Sequence, residues 1–297
     1  MRFKMKKLSI LFSIMLFASM LIYSGCNKDE DPVPPTQTFR TDAGFITSNT
    51  AAKYGDTLFV GITAKSNGTD NLVKFQLLAN ETIVFDTTLN SQNFEYATGI
   101  IKGIADKEVW KFITTDIAGN KDVDSIVITG NFGEINTYSS ITLGAQNNTT
   151  DKGFVSFSNA TSTTYTLDEA FNHQADIDMF LFYENTASHP NMMTMAAPGS
   201  NITGIFTGPS STENYTIKNV TYFVKTSLTA AQFDAVTNDA VILSTFDTNN
   251  KFKKAKVLTT GDVYCILLQS GKYGLLKVIS ANGVEDGNVN FAIKIQK

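Results

Sequence analysis

Val109-Trp110-Lys111-Phe112-Ile113-Thr114-Thr115-Asp116-Ile117-Ala118-Gly119-Asn120, followed by Asp124-Ser125-Ile126-Val127-Ile128, reads as two strands joined by a tight turn. Residues of high β preference fill both arms, and Gly119 and Asn120 tolerate the positive φ that such turns need. In the first arm Trp110 and Phe112 share one parity and Lys111 takes the other. The single tryptophan is therefore expected in a core and not as a platform for a ligand.

Working outward from this hairpin, more strand-like runs appear. Leu58 to Ala64 places Leu58, Val60 and Ile62 on one parity; Leu72 to Leu78 and Thr82 to Phe85 flank Asn80 as a hairpin; Phe94 to Ile101 follows. Short strands at regular spacing over 39–132 predict a β-sandwich. The Asp116-Ile117-Ala118-Gly119-Asn120 turn with its two strands resembles the last hairpin of bacterial immunoglobulin-like domains, a fold that serves spacers, adhesins and binding modules alike. Three tripeptides in this region, Asp56-Thr57-Leu58, Asp86-Thr87-Thr88 and Asp124-Ser125-Ile126, match the O-glycosylation pattern of exported Bacteroidetes proteins. That resemblance marks Thr57, Thr87 and Ser125 as candidate modification sites, although so short a motif also arises by chance.

Residues 133–297 are expected to form a second, larger β-sandwich-like domain with two short helices. Gly153 to Ser158 alternates as a half-buried strand. Thr166-Leu167-Asp168-Glu169 and Thr229-Ala230-Ala231-Gln232 have capping-box spacing, and Leu228 with Phe233 adds a hydrophobic staple to the second. Tyr215 to Lys225, Val241 to Phe246, Val257-Leu258, Val263 to Leu268, Gly274 to Ile279 and Val289 to Ile295 read as strands, and Glu184 to Pro209 reads as a long methionine-bearing loop. The order of these features, from Gly153 to Val278, looks like a recurrent domain of Bacteroidetes lipoproteins, a likeness that implies location and architecture only.

Candidate chemistry in this part is sparse. Asp176 and Asp178 open an apolar strand and share a parity, which suits either a cation such as Ca²⁺, given further oxygen ligands, or hydrogen bonds to a neighbouring loop. His189 lies in the loop that follows, so the three form a candidate ligand site. Neither His173 nor His189 has acids or cysteines at metal spacing, and no metal or other cofactor is expected. Cys265 in Val263 to Leu268 reads as a buried strand residue.

The first residues give an address. Arg2, Lys4, Lys6 and Lys7 precede an apolar run from Leu8 to Tyr23 that is too short for a good membrane span, and Ser24-Gly25-Cys26 ends it. This resembles the lipobox of bacterial lipoproteins, with Tyr23 where Leu is usual; the alternative is a plain secretory signal in which Cys26 is incidental. Residues 1–25 are then the signal peptide and Cys26 the lipidated residue. Lys28-Asp29-Glu30 is similar to the signal that sends Bacteroidetes lipoproteins to the cell surface, or else is an acidic linker. Residues 26–38, acidic and then proline-rich, form an extended tether.

The 297 residues carry a formal charge of −4 with only 18% charged residues, 22 Phe and 20 Gly. That balance argues against nucleic acid as a partner. Together these features predict an all-β, non-catalytic, lipid-anchored protein of the outer membrane facing outward, its first domain a spacer and its second binding glycan or a partner protein. A hydrolase acting on glycan through Asp176 or Asp178, and a purely structural or adhesive component, are the alternatives.

Overall fold

The computed structural model describes residues 33–157 and 161–297. The chain is all-β with a few short helices, 48% strand and 9% helix. Among the described residues no helix is long and apolar enough to cross a membrane.

Among the described residues the N-terminal part has eight strands: β1 (Thr36–Phe39), β2 (Thr50–Ala52), β3 (Thr57–Lys65), β4 (Leu72–Ala79), β5 (Thr82–Ser91), β6 (Asn93–Ile101), β7 (Lys107–Asp116) and β8 (Lys121–Gly130). They form a three-stranded sheet in the order β1-β3-β6 and a five-stranded sheet in the order β2-β8-β7-β4-β5. Strand β2 pairs with β8 in parallel, while β4 pairs antiparallel with both β5 and β7. This strand order, with the last two strands central beside β4 and the first two strands divided between the sheets, is that of an immunoglobulin-like β-sandwich. Val60, Ile62, Leu72, Phe75, Phe112, Ile126 and Ile128 are fully or almost fully buried. Rings of the two sheets meet where Phe75 lies 5.1 Å from Phe94 and 4.9 Å from Tyr96.

The β7–β8 hairpin forms as its sequence predicts. Gly119 takes φ 88°, and the Asp116 carboxylate accepts from the Asn120 backbone N–H at 2.9 Å and from its side-chain amide at 3.0 Å. Trp110 is half-buried, on the same parity as the buried Phe112. One buried amide ties β1 to the other sheet. The Gln37 side chain donates to the Phe112 carbonyl at 3.1 Å and to Asp124 at 3.2 Å, and accepts from the Thr114 hydroxyl at 2.6 Å. The β6–β7 corner is held by charge. Lys102, fully buried, donates to Glu108 Oε1 at 2.8 Å and to the Gly103 carbonyl at 2.9 Å, and its ammonium lies 5.0 Å from the Phe132 ring centre.

By proximity the chain divides into two compact units. One holds the described residues to Thr47 with Val60–Thr98 and Val109–Ile126; the other holds Ser48–Phe59, Gly99–Glu108 and Val127–Lys297.

The C-terminal part contains β9 (Ile135–Gly144), β10 (Phe154–Ser156), β11 (Thr163–Tyr165), α1 (Leu167–Asn172), β12 (Met179–Thr186), β13 (His189–Ala196), β14 (Tyr222–Lys225), α2 (Ala230–Asp234), α3 (Ala240–Thr245), β15 (Lys254–Ala255), β16 (Val263–Leu267), β17 (Tyr273–Asn282) and β18 (Asn288–Gln296). Two antiparallel five-stranded sheets run β11-β10-β12-β13-β15 and β14-β16-β17-β18-β9. Their facing sides make the main core, in which Leu181, Met195, Ile266, Leu276 and Phe291 are buried together. Both outer faces are covered as well. Phe154, Phe180 and Phe182 pack beneath α1 and the Ile202–Tyr215 region, while Val263, Cys265 and Leu275 pack beneath α2 and α3. The domain thus has covering layers outside a sandwich, and its central strands are buried on both sides.

That double burial corrects several expectations. The strand at Phe154 is not half-buried, because Phe154 enters the outer cluster and Val155 the inner one. The methionine-bearing stretch is not a long loop. His189–Ala196 pairs with β12 through a two-residue turn, from Thr186↔His189 to Phe180↔Ala196, and Met193 and Met195 point into the main core. Val241 to Phe246 is not a strand but largely α3, so the described residues of the domain hold three α-helices and not two. Both capping boxes form as spaced, with Thr166 and Glu169 at α1 and Thr229 and Gln232 at α2.

Candidate functional site

Segment 250–256 fastens the open edge of the C-terminal sandwich. Phe252 and Phe223 form an antiparallel bridge, Phe223 N–H donating to the Phe252 carbonyl at 2.7 Å and Phe252 N–H returning to the Phe223 carbonyl at 2.9 Å. Two residues later, Lys254 and Ala255 pair with Ala196 and Met195 of β13. The segment therefore bridges to β14, the edge of one sheet, and as β15 forms the edge of the other beside β13.

Where it crosses, a cleft of about 580 Å³ opens, lined by Phe223, Lys225, Asn250, Phe252, Lys253, Lys254, Lys256 and Tyr264. Its floor is aromatic and buried, Phe223 at 1% and Tyr264 at 3% exposure, whereas the Phe252 ring above it is 66% exposed. Tyr264 donates to the Lys256 carbonyl at 3.3 Å, and burial holds its phenol above the ordinary tyrosine range.

The lysines are not equivalent. Lys225 meets Asp262 at 2.9 Å, and Lys254 meets Glu184 at 3.1 Å. Lys253 donates to the Gly199 carbonyl at 3.2 Å, and Lys251 stands 4.5 Å from the Tyr222 ring centre. Among the described residues Lys253 and Lys256 have no carboxylate partner. Val257, next in the chain, is held at φ 54°, a strained conformation for a β-branched residue.

The residues proposed from sequence lie elsewhere and do not gather. Asp176 sits in the turn before β12, not on the strand, and pairs with His173 at 3.5 Å. Asp178 is buried and accepts from the Phe157 N–H at 2.6 Å; burial pushes its carboxyl up to about 6, against that hydrogen bond and aided by the charge of Asp176. His189 starts β13, with Nδ1 3.1 Å from the Ser188 hydroxyl and 3.6 Å from Glu184. Among the described residues no three His, Cys, Asp or Glu converge as metal ligands, so Asp176, Asp178 and His189 do not make one cation site. Cys265 is buried beneath α3, its thiol donating to the Ile242 carbonyl at 3.4 Å and pushed up to about 12 by burial. Thr57 and Ser125 are exposed and Thr87 is half-buried. Cys26, Lys28, Asp29 and Glu30 lie outside the described residues.

Sequence reasoning passed over 250–256. One signal was available: an aromatic residue flanked by four lysines, Lys251-Phe252-Lys253-Lys254-Ala255-Lys256, in an otherwise acidic chain.

No protein-family model matches the chain, and no curated protein matches it. Solved structures with some similarity include fibronectin(III)-like modules of Clostridium thermocellum CbhA, 15% identical over 32% of this chain and 96% of that one, at a TM-score of 0.24. A Ca²⁺-stabilised adhesin described as helping an Antarctic bacterium reach out and bind ice is 10% identical over 88% of this chain and 72% of that one, at a TM-score of 0.19. Likeness at this level adds nothing to the strand order described above.

Proposed function

We propose that this chain is a non-catalytic surface lipoprotein, anchored through Cys26 and sent outward by Lys28-Asp29-Glu30, with its immunoglobulin-like sandwich as spacer. Its C-terminal sandwich binds glycan or a partner protein. The observation that carries the binding role is the cleft at the sandwich edge, an apolar hollow with the Phe252 ring left 66% exposed beside it. Leaving such a ring in water forgoes about 1.5–3 kcal/mol of burial, which a bound partner recovers. Apolar hollows with a few polar groups are where ligands settle.

The hydrolase reading gains no second carboxylate. Asp178, with its raised carboxyl, lies buried against Phe157, while Asp176 is turned to His173; the acids beside the cleft, Asp262 and Glu184, each hold a lysine. The test is a glycan-array screen of the lipid-free protein carrying Cys26→Ser, with Phe252→Ala in parallel. Binding lost in the Phe252 variant supports the cleft as the site. Binding unchanged in that variant moves the site elsewhere, and new reducing ends on a bound glycan would restore the hydrolase.

A further inference from the structure

We infer that the cleft takes an acidic glycan, a polysaccharide bearing carboxylate or sulfate groups, with a sugar face on Phe252 and its anion between Lys253 and Lys256. The inference rests on the cleft being the ligand site, and adds to it the ligand's charge.

The argument is one of charge left over. In a chain of net charge −4, four lysines fall within six residues, Lys251 to Lys256. Two ammonium groups at the cleft are already neutralised, Lys225 by Asp262 at 2.9 Å and Lys254 by Glu184 at 3.1 Å. These pairs position the wall. Lys256 has no side-chain partner among the described residues, and Lys253 has only the neutral carbonyl of Gly199 at 3.2 Å. Two uncompensated cations therefore flank the one ring of the cleft that is mostly in solvent. An ammonium is a strong donor to an anionic oxygen, and an exposed aromatic face suits the apolar face of a sugar ring. Neutral glycan would use the ring and leave both cations unanswered.

A nucleic acid would offer anions too, but it requires cations that track a run of phosphates. Here Lys253 and Lys256 converge on one cleft of about 580 Å³, and the chain as a whole is acidic. The backbone of the cleft wall is also fixed. Phe252 is bridged to Phe223 through paired backbone hydrogen bonds.

The experiment is calorimetric titration of the lipid-free protein with polygalacturonate, chondroitin sulfate, a neutral xylan and oligothymidylate at two salt concentrations. Wild type is expected to bind a uronate or sulfated polymer, at least tenfold more weakly in high salt. The doubly substituted Lys253→Glu/Lys256→Glu protein should lose at least tenfold in affinity with an unchanged melting temperature, and Lys253→Arg/Lys256→Arg should keep it. Xylan bound as well as the acidic polymers, without salt dependence, would overturn the acidic inference while leaving a glycan site. Oligothymidylate bound as tightly as the acidic glycans would overturn it in favour of general polyanion attraction. Failure of wild type to bind any of the polysaccharides would overturn both this inference and the glycan reading beneath it.

Discussion

Phe223 and Phe252 exchange two backbone hydrogen bonds, at 2.7 and 2.9 Å, although one ring is buried and the other stands in solvent. The backbone of Phe252 therefore builds the cleft wall while its side chain remains free for a partner. The two roles separate by mutation. Phe252→Ala should leave the urea midpoint nearly unchanged, since little burial is lost, yet weaken ligand binding. Phe252→Pro removes one donor of the bridge and should cost about 1–3 kcal/mol, read from the same midpoint. An equal loss in both variants would show the ring itself to be structural.

Asp178 makes stability depend on pH. Its carboxyl is pushed up to about 6 from an ordinary 3.8, chiefly by burial, so the folded protein holds this proton more tightly than the unfolded chain. The corresponding stability is fully present below pH 4 and is lost as pH rises through 6, a decline of about 2–3 kcal/mol. Asp178→Asn, which can still accept from Phe157 N–H, should flatten that decline in denaturant titrations run between pH 4 and pH 7. A wild-type curve that is level over this interval would show that Asp178 titrates normally.

Lys102 and Glu108 stand or fall together at the β6–β7 corner. Glu108→Ala leaves a fully buried ammonium without its carboxylate and should cost about 3–5 kcal/mol. Replacing both, as Lys102→Met with Glu108→Leu, should recover most of that loss, because neither charge then has to be buried. Thermal unfolding of the two variants beside wild type checks the order; a double variant as unstable as the single would assign the stability to packing at the corner.

Cys26→Ser should abolish incorporation of labelled palmitate and release the protein from membranes. Replacing Lys28, Asp29 and Glu30 with alanine should keep the lipid but remove the protein from the reach of external protease. Palmitate labelling that survives Cys26→Ser would show the signal to be of another kind.

The N-terminal sandwich was legible because its strands keep one wet face. Val60 and Ile62 are buried on one parity, and the Asp116 to Asn120 turn carries its own geometry in Gly119 and Asn120. In the C-terminal sandwich both faces of the central strands are dry, so periodicity weakens there. Val241 to Phe246, apolar and partly β-branched, reads as strand alone and becomes helix because it caps the outer face of β16 and β17. Pro190 and the methionines hid β13, whose paired register with β12 is visible only in three dimensions. The cleft was concealed for a related reason. Nothing local in 250–256 shows that it bridges β14 and pairs with β13, and that placement turns a run of lysines into the wall of a cleft.

The parallel pairing of Thr50–Ala52 with Ile128–Gly130 also decides how the sandwich bears load. The chain enters β2 at one end of this short ladder and leaves β8 at the other. A pull applied at Thr50 and Gly130 therefore draws the two strands lengthwise past each other, and the rungs share the force instead of opening singly as in a peeled hairpin. Strands joined in this way part only when the load exceeds what all of those rungs resist at once.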